Sequence, residues 1–278
     1  MRARYTWRAF SRELIFLALA AFFCIPFYLL FSIALKPNSE LFTSPLSFPT
    51  SPDLGNFSEA WKGQAGVGLG RAMFNSLVIT VFTVAILILI GSLCAYALAR
   101  RPSRLSNALY FMFVLGIIIP FQLGIVPLYV LFRKIDLIGS YLGMITLWVG
   151  VSLPVTVFLY TGFIRALPRD YEEAAQVDGA GVLRTYLRVV FPLLRPVTGT
   201  VAILTGLFVW NDFFISLIFV SGSDRVTLPV AVYAFVGEYF TQYNLVFAAV
   251  TIALLPIMIF FVFAQRQLIR GFTSGVRG

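Results

Sequence analysis

Histidine is absent from all 278 residues, and cysteine occurs only twice, at Cys24 and Cys94. The first absence removes the commonest zinc ligand and the commonest proton shuttle at neutral pH. Both thiols lie inside apolar runs, where cysteine acts as a small hydrophobe, so neither a disulfide framework nor a metal site is expected. Charge is scarce as well, at 12% of residues, and a glycine-rich Lys-Ser/Thr phosphate loop is missing. No catalytic residue stands out. What remains is 59% hydrophobic with a mean hydropathy of +0.90, which belongs to the membrane class. The formal charge of +9 is scattered around apolar runs and does not cover one face, which argues against a nucleic-acid partner.

A crossing of the hydrocarbon core takes about 20 apolar residues, and six runs qualify: 14–35, 76–99, 108–132, 141–164, 197–220 and 245–265. The fold class expected is therefore an all-α integral membrane protein with six transmembrane helices. Prolines at 26, 120, 127, 154 and 256 fall within these runs, and kinks are expected, above all in the third. With both termini inside, fifteen of the 21 Lys and Arg residues fall on the cytoplasmic side, including Arg100, Arg101, Arg104, Arg165, Arg169, Arg184, Arg188 and Arg195. Lys36, Lys62, Arg71, Arg133, Lys134 and Arg225 fall outside. A cleavable signal peptide is a poor fit to the first run, because a signal core spans about 7–15 residues. No repeat relates the two halves, so an inverted-repeat transporter has no support.

Residues 36–75 form an external loop on this reading, and 165–196 the longest internal one. In the internal loop Asp170 can cap a helix and Glu173 can complete a capping box, giving a short helix over 170–178 that Gly179 and Gly181 break. From Val182 the chain turns amphipathic: Leu183, Tyr186, Leu187 and Val190 share one face and Arg184 and Arg188 another, until Pro192 and Pro196 stop it. That helix is expected along the membrane surface. Ala174 and Ala175 let a partner approach closely, while Glu172, Glu173 and Asp178 supply charge. An ordinary solvated helical hairpin fits the same residues equally well.

The spacing of Glu173-Ala174-Ala175, Gly179 and Val189-Val190-Phe191-Pro192 resembles the "EAA" loop of permease subunits of binding-protein-dependent ATP-binding-cassette importers. Val189 and Phe191 stand where that pattern has Ile and Leu, apolar for apolar. The longer run from Pro168 through Tyr171-Glu172-Glu173-Ala174-Ala175 to Asp178-Gly179-Ala180 is highly specific. Further resemblance runs from Asn75-Ser76 through Trp210-Asn211-Asp212 to the tail, and is strongest to the smaller permease of maltose-type, carbohydrate-importing systems. The tail is one residue shorter than the family's.

That resemblance implies a type I importer permease fold with its core over 71–270. It implies a second permease, two ATPase subunits and an external solute-binding protein as partners, with ATP and Mg on the ATPase and no cofactor or metal on this chain. The inner membrane of a prokaryote is the implied location. Residues of the 165–196 loop (Glu172, Glu173, Ala174, Ala175, Asp178, Gly179 and Pro192) would couple to the ATPase, with Glu173 making the key ionic contact. Thr273, Gly275 and Arg277 of the tail would reach toward the same partner.

Within the fifth run Thr198, Thr205 and Asp212 are spaced by seven and Ser216 follows a turn later, so one polar stripe is expected along a single helix. Asp212 lies about 6 Å from the midplane, where an ionised carboxylate must face protein or water. With Asn211, Thr205, Ser216 and Gln122 it is a candidate for the translocation path; hydrogen bonding between helices is the competing explanation. Asn56, Phe57, Trp61, Glu238 and Tyr239 are weaker candidates for external contacts. Two other functions stay open on the residues alone: an ion-coupled secondary transporter with Asp212 as its ion site, and a membrane scaffold that binds through 165–196.

Overall fold

The computed structural model describes residues 7–64, 66–101, 103–236 and 242–274, the backbone alone being described at residue 8 and over 260–274. Among the described residues the regular structure is helical, with a single bridge between Gln64 and Val67 as the one extended pairing. The chain order is α1 (Trp7–Ala34), α2 (Asn38–Thr43), α3 (Gly55–Lys62), α4 (Leu69–Arg100), α5 (Arg104–Ile118), α6 (Ile125–Lys134), α7 (Tyr141–Ala166) and α8 (Asp170–Val177). Next come α9 (Val182–Thr185), a π-helical turn (Tyr186–Val190), α10 (Phe191–Leu193), α11 (Arg195–Trp210), α12 (Phe214–Phe219), α13 (Leu228–Tyr233) and α14 (Tyr243–Ser274).

Among the described residues three helices are long and apolar enough to cross a bilayer, Ala9–Ala34, Leu69–Arg100 and Tyr141–Ala166, and two bent helix pairs qualify if each is taken as one span. Neither 108–132 nor 197–220 is a single helix. The first is divided between α5 and α6, whose axes differ by 89°. The cause is Pro120, which has no N–H to donate and drives Ile119 out of the helical region to φ −74°, ψ 120°. Pro26, Pro154 and Pro256, by contrast, lie inside continuous helices. The expected run 197–220 ends as a helix at Trp210 and resumes at Phe214.

The chain forms two compact units. One comprises residues 1–70 and 231–256. There Lys36 is fully buried, its ammonium donating to the carbonyls of Ser44 and Pro45 and to Ser47 Oγ, so the buried cation is satisfied by carbonyl and hydroxyl oxygens. Asn56 Nδ2 donates to the carbonyls of Ala34 and Lys36, each at 2.9 Å, and Asn56 Oδ1 accepts from Asn244 Nδ2 at 2.8 Å. Asn56 is thus a buried brace and not an exposed contact residue, whereas Trp61 is half exposed.

In the other unit, residues 71–230 and 257–278, the described residues build two apolar cores. Tyr96, Val157, Tyr160, Ile164, Tyr186, Val190 and Val201 build one, joining α4, α7, the π turn and α11. Ile79, Phe132, Met144, Trp148, Val209, Ile215 and Phe219 build the second. Asn75 and Ser76, both buried, fasten the N-terminal part of α4: Asn75 Nδ2 donates to the carbonyls of Asp224 and Val226, Asn75 Oδ1 accepts from Tyr141 OH, and Ser76 Oγ accepts from Leu228 N.

At Gly91 the helices α4 and α7 come so close that an added Cβ would lie 2.4 Å from Thr156 Cγ2. Gly91→Ala is therefore expected to destabilise the protein by about 1–3 kcal/mol, read as a lower thermal midpoint in detergent. Gly150→Ala in α7, where nothing lies within 4 Å, is the control and should leave the midpoint unchanged or raise it.

Candidate functional site

The loop between α7 and α11 begins with α8, whose first turn holds Asp170, Glu172 and Glu173, carboxylates suited to the positive end of the helix dipole. The expected capping box does not form. Arg169 is the N-cap, its carbonyl accepting from the amides of Glu172 and Glu173 at 2.8 and 3.0 Å, and Asp170 already belongs to the helix. The helix ends in a Schellman motif: Gly179 N donates to Gln176 O and Ala180 N to Ala175 O, both at 2.9 Å, with Gly179 at φ +79°. An added Cβ at Gly179 meets nothing within 4 Å, so its requirement for glycine is purely conformational. Gly179→Val should cost about 1–2 kcal/mol and Gly179→Asn clearly less, measured as shifts in the unfolding midpoint.

Glu172 and Glu173 lie in different surroundings. Glu173, Ala174, Asp178 and Gly179 are exposed, Ala175 is half-buried, and the apolar Val177 and Tyr171 are exposed beside them. Glu172 is buried instead, at 7% exposure. Its Oε1 accepts from Arg100 Nε at 2.7 Å and its Oε2 from Tyr96 OH at 2.9 Å. Of the two neighbouring carboxylates grouped together as docking charges, Glu172 is therefore spent inside the chain. The reason is helical geometry, since successive side chains lie about 100° apart and only Glu172 is turned toward Tyr96 and Arg100 of α4.

The return segment is not one amphipathic helix. The π turn over Tyr186–Val190 rotates the face, so that Tyr186 and Val190 are buried while Leu183 and Leu187 are 64% and 51% exposed. Tyr186 OH meets Ser92 Oγ at 2.6 Å. Pro192, exposed, sits within α10 and does not end the segment; the chain turns by 73° at Leu194, which is fully buried.

The expected polar stripe is interrupted by the gap between α11 and α12. Thr205 Oγ1 donates to Val201 O at 2.7 Å, and Thr198 Oγ1 accepts from Tyr160 OH at 2.9 Å. Within the gap Asp212 caps α12: Oδ1 accepts from Ile215 N at 3.1 Å, and Oδ2 accepts from Ser216 N and Ser216 Oγ, each at 2.8 Å. Asn211 is exposed, with Nδ2 donating to Leu207 O at 2.9 Å. Gln122 lies exposed in the 3₁₀ turn Phe121–Gly124, at the other gap, between α5 and α6. Thr273 is described only as backbone of α14, and Gly275, Arg277, Glu238 and Tyr239 lie outside the described residues.

Sequence reasoning missed Ser92, Tyr96 and Arg100, the partners of the loop on α4. Their spacing of four residues, ending in an arginine at the edge of an apolar run, was the available signal.

Residues 87–274 match the family described as binding-protein-dependent transport system inner membrane component. The melibiose/raffinose/stachyose import permease protein of Bacillus subtilis is 38% identical over 252 residues, covering 90% of each chain. The probable starch degradation products transport system permease protein of Thermoanaerobacterium thermosulfurigenes is 36% identical over 250 residues, again 90% of each. The multiple sugar-binding transport system permease protein of Streptococcus mutans is 33% identical over 255 residues, with the same coverage. Among solved structures, a bacterial ABC transporter involved in the import of the acidic polysaccharide alginate superposes with a TM-score of 0.80 at 18% identity, covering 94% of this chain and 98% of that one.

Proposed function

We propose, from the premise that this chain belongs to the family of binding-protein-dependent transport system inner membrane components, that it is a permease subunit of an ATP-binding-cassette importer for carbohydrate. The observation that carries the reading is the exposed face of α8, where Glu173, Ala174, Val177 and Asp178 are exposed on a helix that Glu172 ties to α4. Such a face offers charge, small side chains and an apolar rim to a partner groove. The three relatives are named for melibiose, raffinose and stachyose, for starch degradation products and for multiple sugars, which supports an oligosaccharide as solute.

On this reading the six expected spans cross the membrane, the 165–196 loop and both termini are cytoplasmic, and Glu173, Ala174, Ala175, Asp178 and Gly179 form the docking element. ATP is hydrolysed on separate ATPase subunits, and a second permease and an external binding protein complete the assembly. Thr273, Gly275 and Arg277 extend toward the ATPase. Closure of the ATPase pair moves α8 and re-aims the permeases about a shared path. Gln122, Asn211 and Asp212 sit at the two helix gaps, with Thr205 and Ser216 on the flanking helices. Irregular backbone at membrane depth is tolerated where it is buried in protein or lines a water-filled cavity, which favours these gaps as parts of the path.

The test is uptake by vesicles reconstituted with all four kinds of subunit, using radiolabelled raffinose and maltotriose as probes. Accumulation that requires ATP and the binding protein is expected. Accumulation on an ion gradient with no ATPase present would overturn the reading in favour of a secondary transporter.

A further inference from the structure

We infer that a polar seam between Glu172 and one face of α4 is the link that carries motion of the docking helix into the membrane helices, with Glu172 and Arg100 as its positioning residues. The inference rests on the importer reading above. Ser92, Tyr96 and Arg100 recur every four residues and therefore line one side of α4 over about 12 Å. Each is engaged by the loop. Arg100 and Tyr96 occupy both oxygens of Glu172, Tyr96 and Tyr186 pack with ring centroids 5.1 Å apart, and Ser92 bonds to Tyr186. Arg100 Nη2 also donates to Leu167 O at 3.1 Å, which ties the end of α7 to the same point.

Two features suit the seam to transmission. The first is its burial: the side chains of Arg100 and Glu172 are only 11% and 9% exposed, so breaking the pair strands a charge, and the two groups are held to move together. The second is what lies at its far side. The helix α4 runs 32 residues without a proline or a gap, whereas the α5/α6 and α11/α12 stretches are interrupted and would absorb a displacement as bending. Force applied at the exposed Glu173 face of α8 thus reaches a stiff rod through Glu172.

The experiment uses the complete complex in vesicles with raffinose and maltotriose as probes, and reads two quantities: ATPase subunits recovered with the permease, and solute moved per ATP hydrolysed. For Glu172→Gln the expected result is full recovery of the ATPase and a fall of about tenfold in solute per ATP. Combining E172R with R100E should bring the ratio back to within about threefold of wild type, since the opposed charges are restored. A normal ratio for Glu172→Gln overturns the inference, as does loss of the ATPase from that complex, which would make Glu172 a docking contact. A double exchange no better than the single variant also overturns it. Should Glu172→Gln fail to reach the membrane, Tyr96→Phe and Arg100→Lys decide: a reduced ratio supports the seam and a normal ratio in both sinks it. A wild-type complex that hydrolyses ATP yet moves neither probe overturns the importer reading and this inference together.

Discussion

Replacing Glu173 by lysine is expected to abolish ATP-dependent uptake while leaving the permease folded in the membrane. Its carboxylate is exposed and, among the described residues, no hydrogen bond or ion pair within the chain engages it. The intrinsic cost of the change is the loss of a favourable charge at the start of α8, about 0.3–1 kcal/mol, so the unfolding midpoint should barely move. A groove that receives a carboxylate would instead meet an ammonium, and a like-charge meeting at an interface costs several kcal/mol. Uptake and recovery of the ATPase subunits should therefore fall together by at least about a hundredfold. Normal uptake by this variant would show that α8 docks, if at all, through other residues. The contrast with Glu172→Gln is informative, since that variant is expected to keep the ATPase and lose only the yield of transport.

Asp212→Ala is expected to destabilise the protein by about 3 kcal/mol, and Asp212→Asn by much less. The alanine leaves the amides of Ile215 and Ser216 and the hydroxyl of Ser216 without their acceptor, and both residues are 1% exposed. A lost cap costs about 0.5–2 kcal/mol, and each stranded buried donor about 1–3, with partial relaxation. Asparagine keeps one acceptor oxygen, enough for Ser216 N and Oγ, and forgoes only the bond from Ile215 N. Unfolding midpoints in detergent measure the first effect and vesicle uptake the second. If the carboxylate charge serves the solute path beyond its capping role, Asp212→Asn will transport poorly at near-normal stability. If capping is its whole task, transport will follow stability in both variants.

The outward and inward faces of α8 could not be separated from sequence spacing. Glu172 and Glu173 are identical in type and adjacent, and only the position of Arg100 and Tyr96, more than seventy residues earlier, distinguishes them. The break at Pro120 was foreshadowed by the missing amide, but Pro26, Pro154 and Pro256 stand in unbroken helices, because neighbouring groups can accommodate a proline at one place and not at another. The gap that holds Asp212 carries no glycine or proline. An Asn-Asp pair favours local side-chain capping over continuation of a helix, and the periodicity of Thr198, Thr205 and Asp212 masked it.

By itself the sequence determined the membrane class of this protein, its helical class, and the short helix that opens the 165–196 loop. Those follow from composition, from runs long enough to cross a bilayer and from a motif whose residues are close along the chain. Tertiary structure alone decided which carboxylate of that loop is free and which is buried, where two of the expected spans break, and that Asp212 caps a helix. Each of these depends on contacts between residues distant in sequence or on competition for backbone donors. A pattern of residue types holds no record of either until the helices are packed.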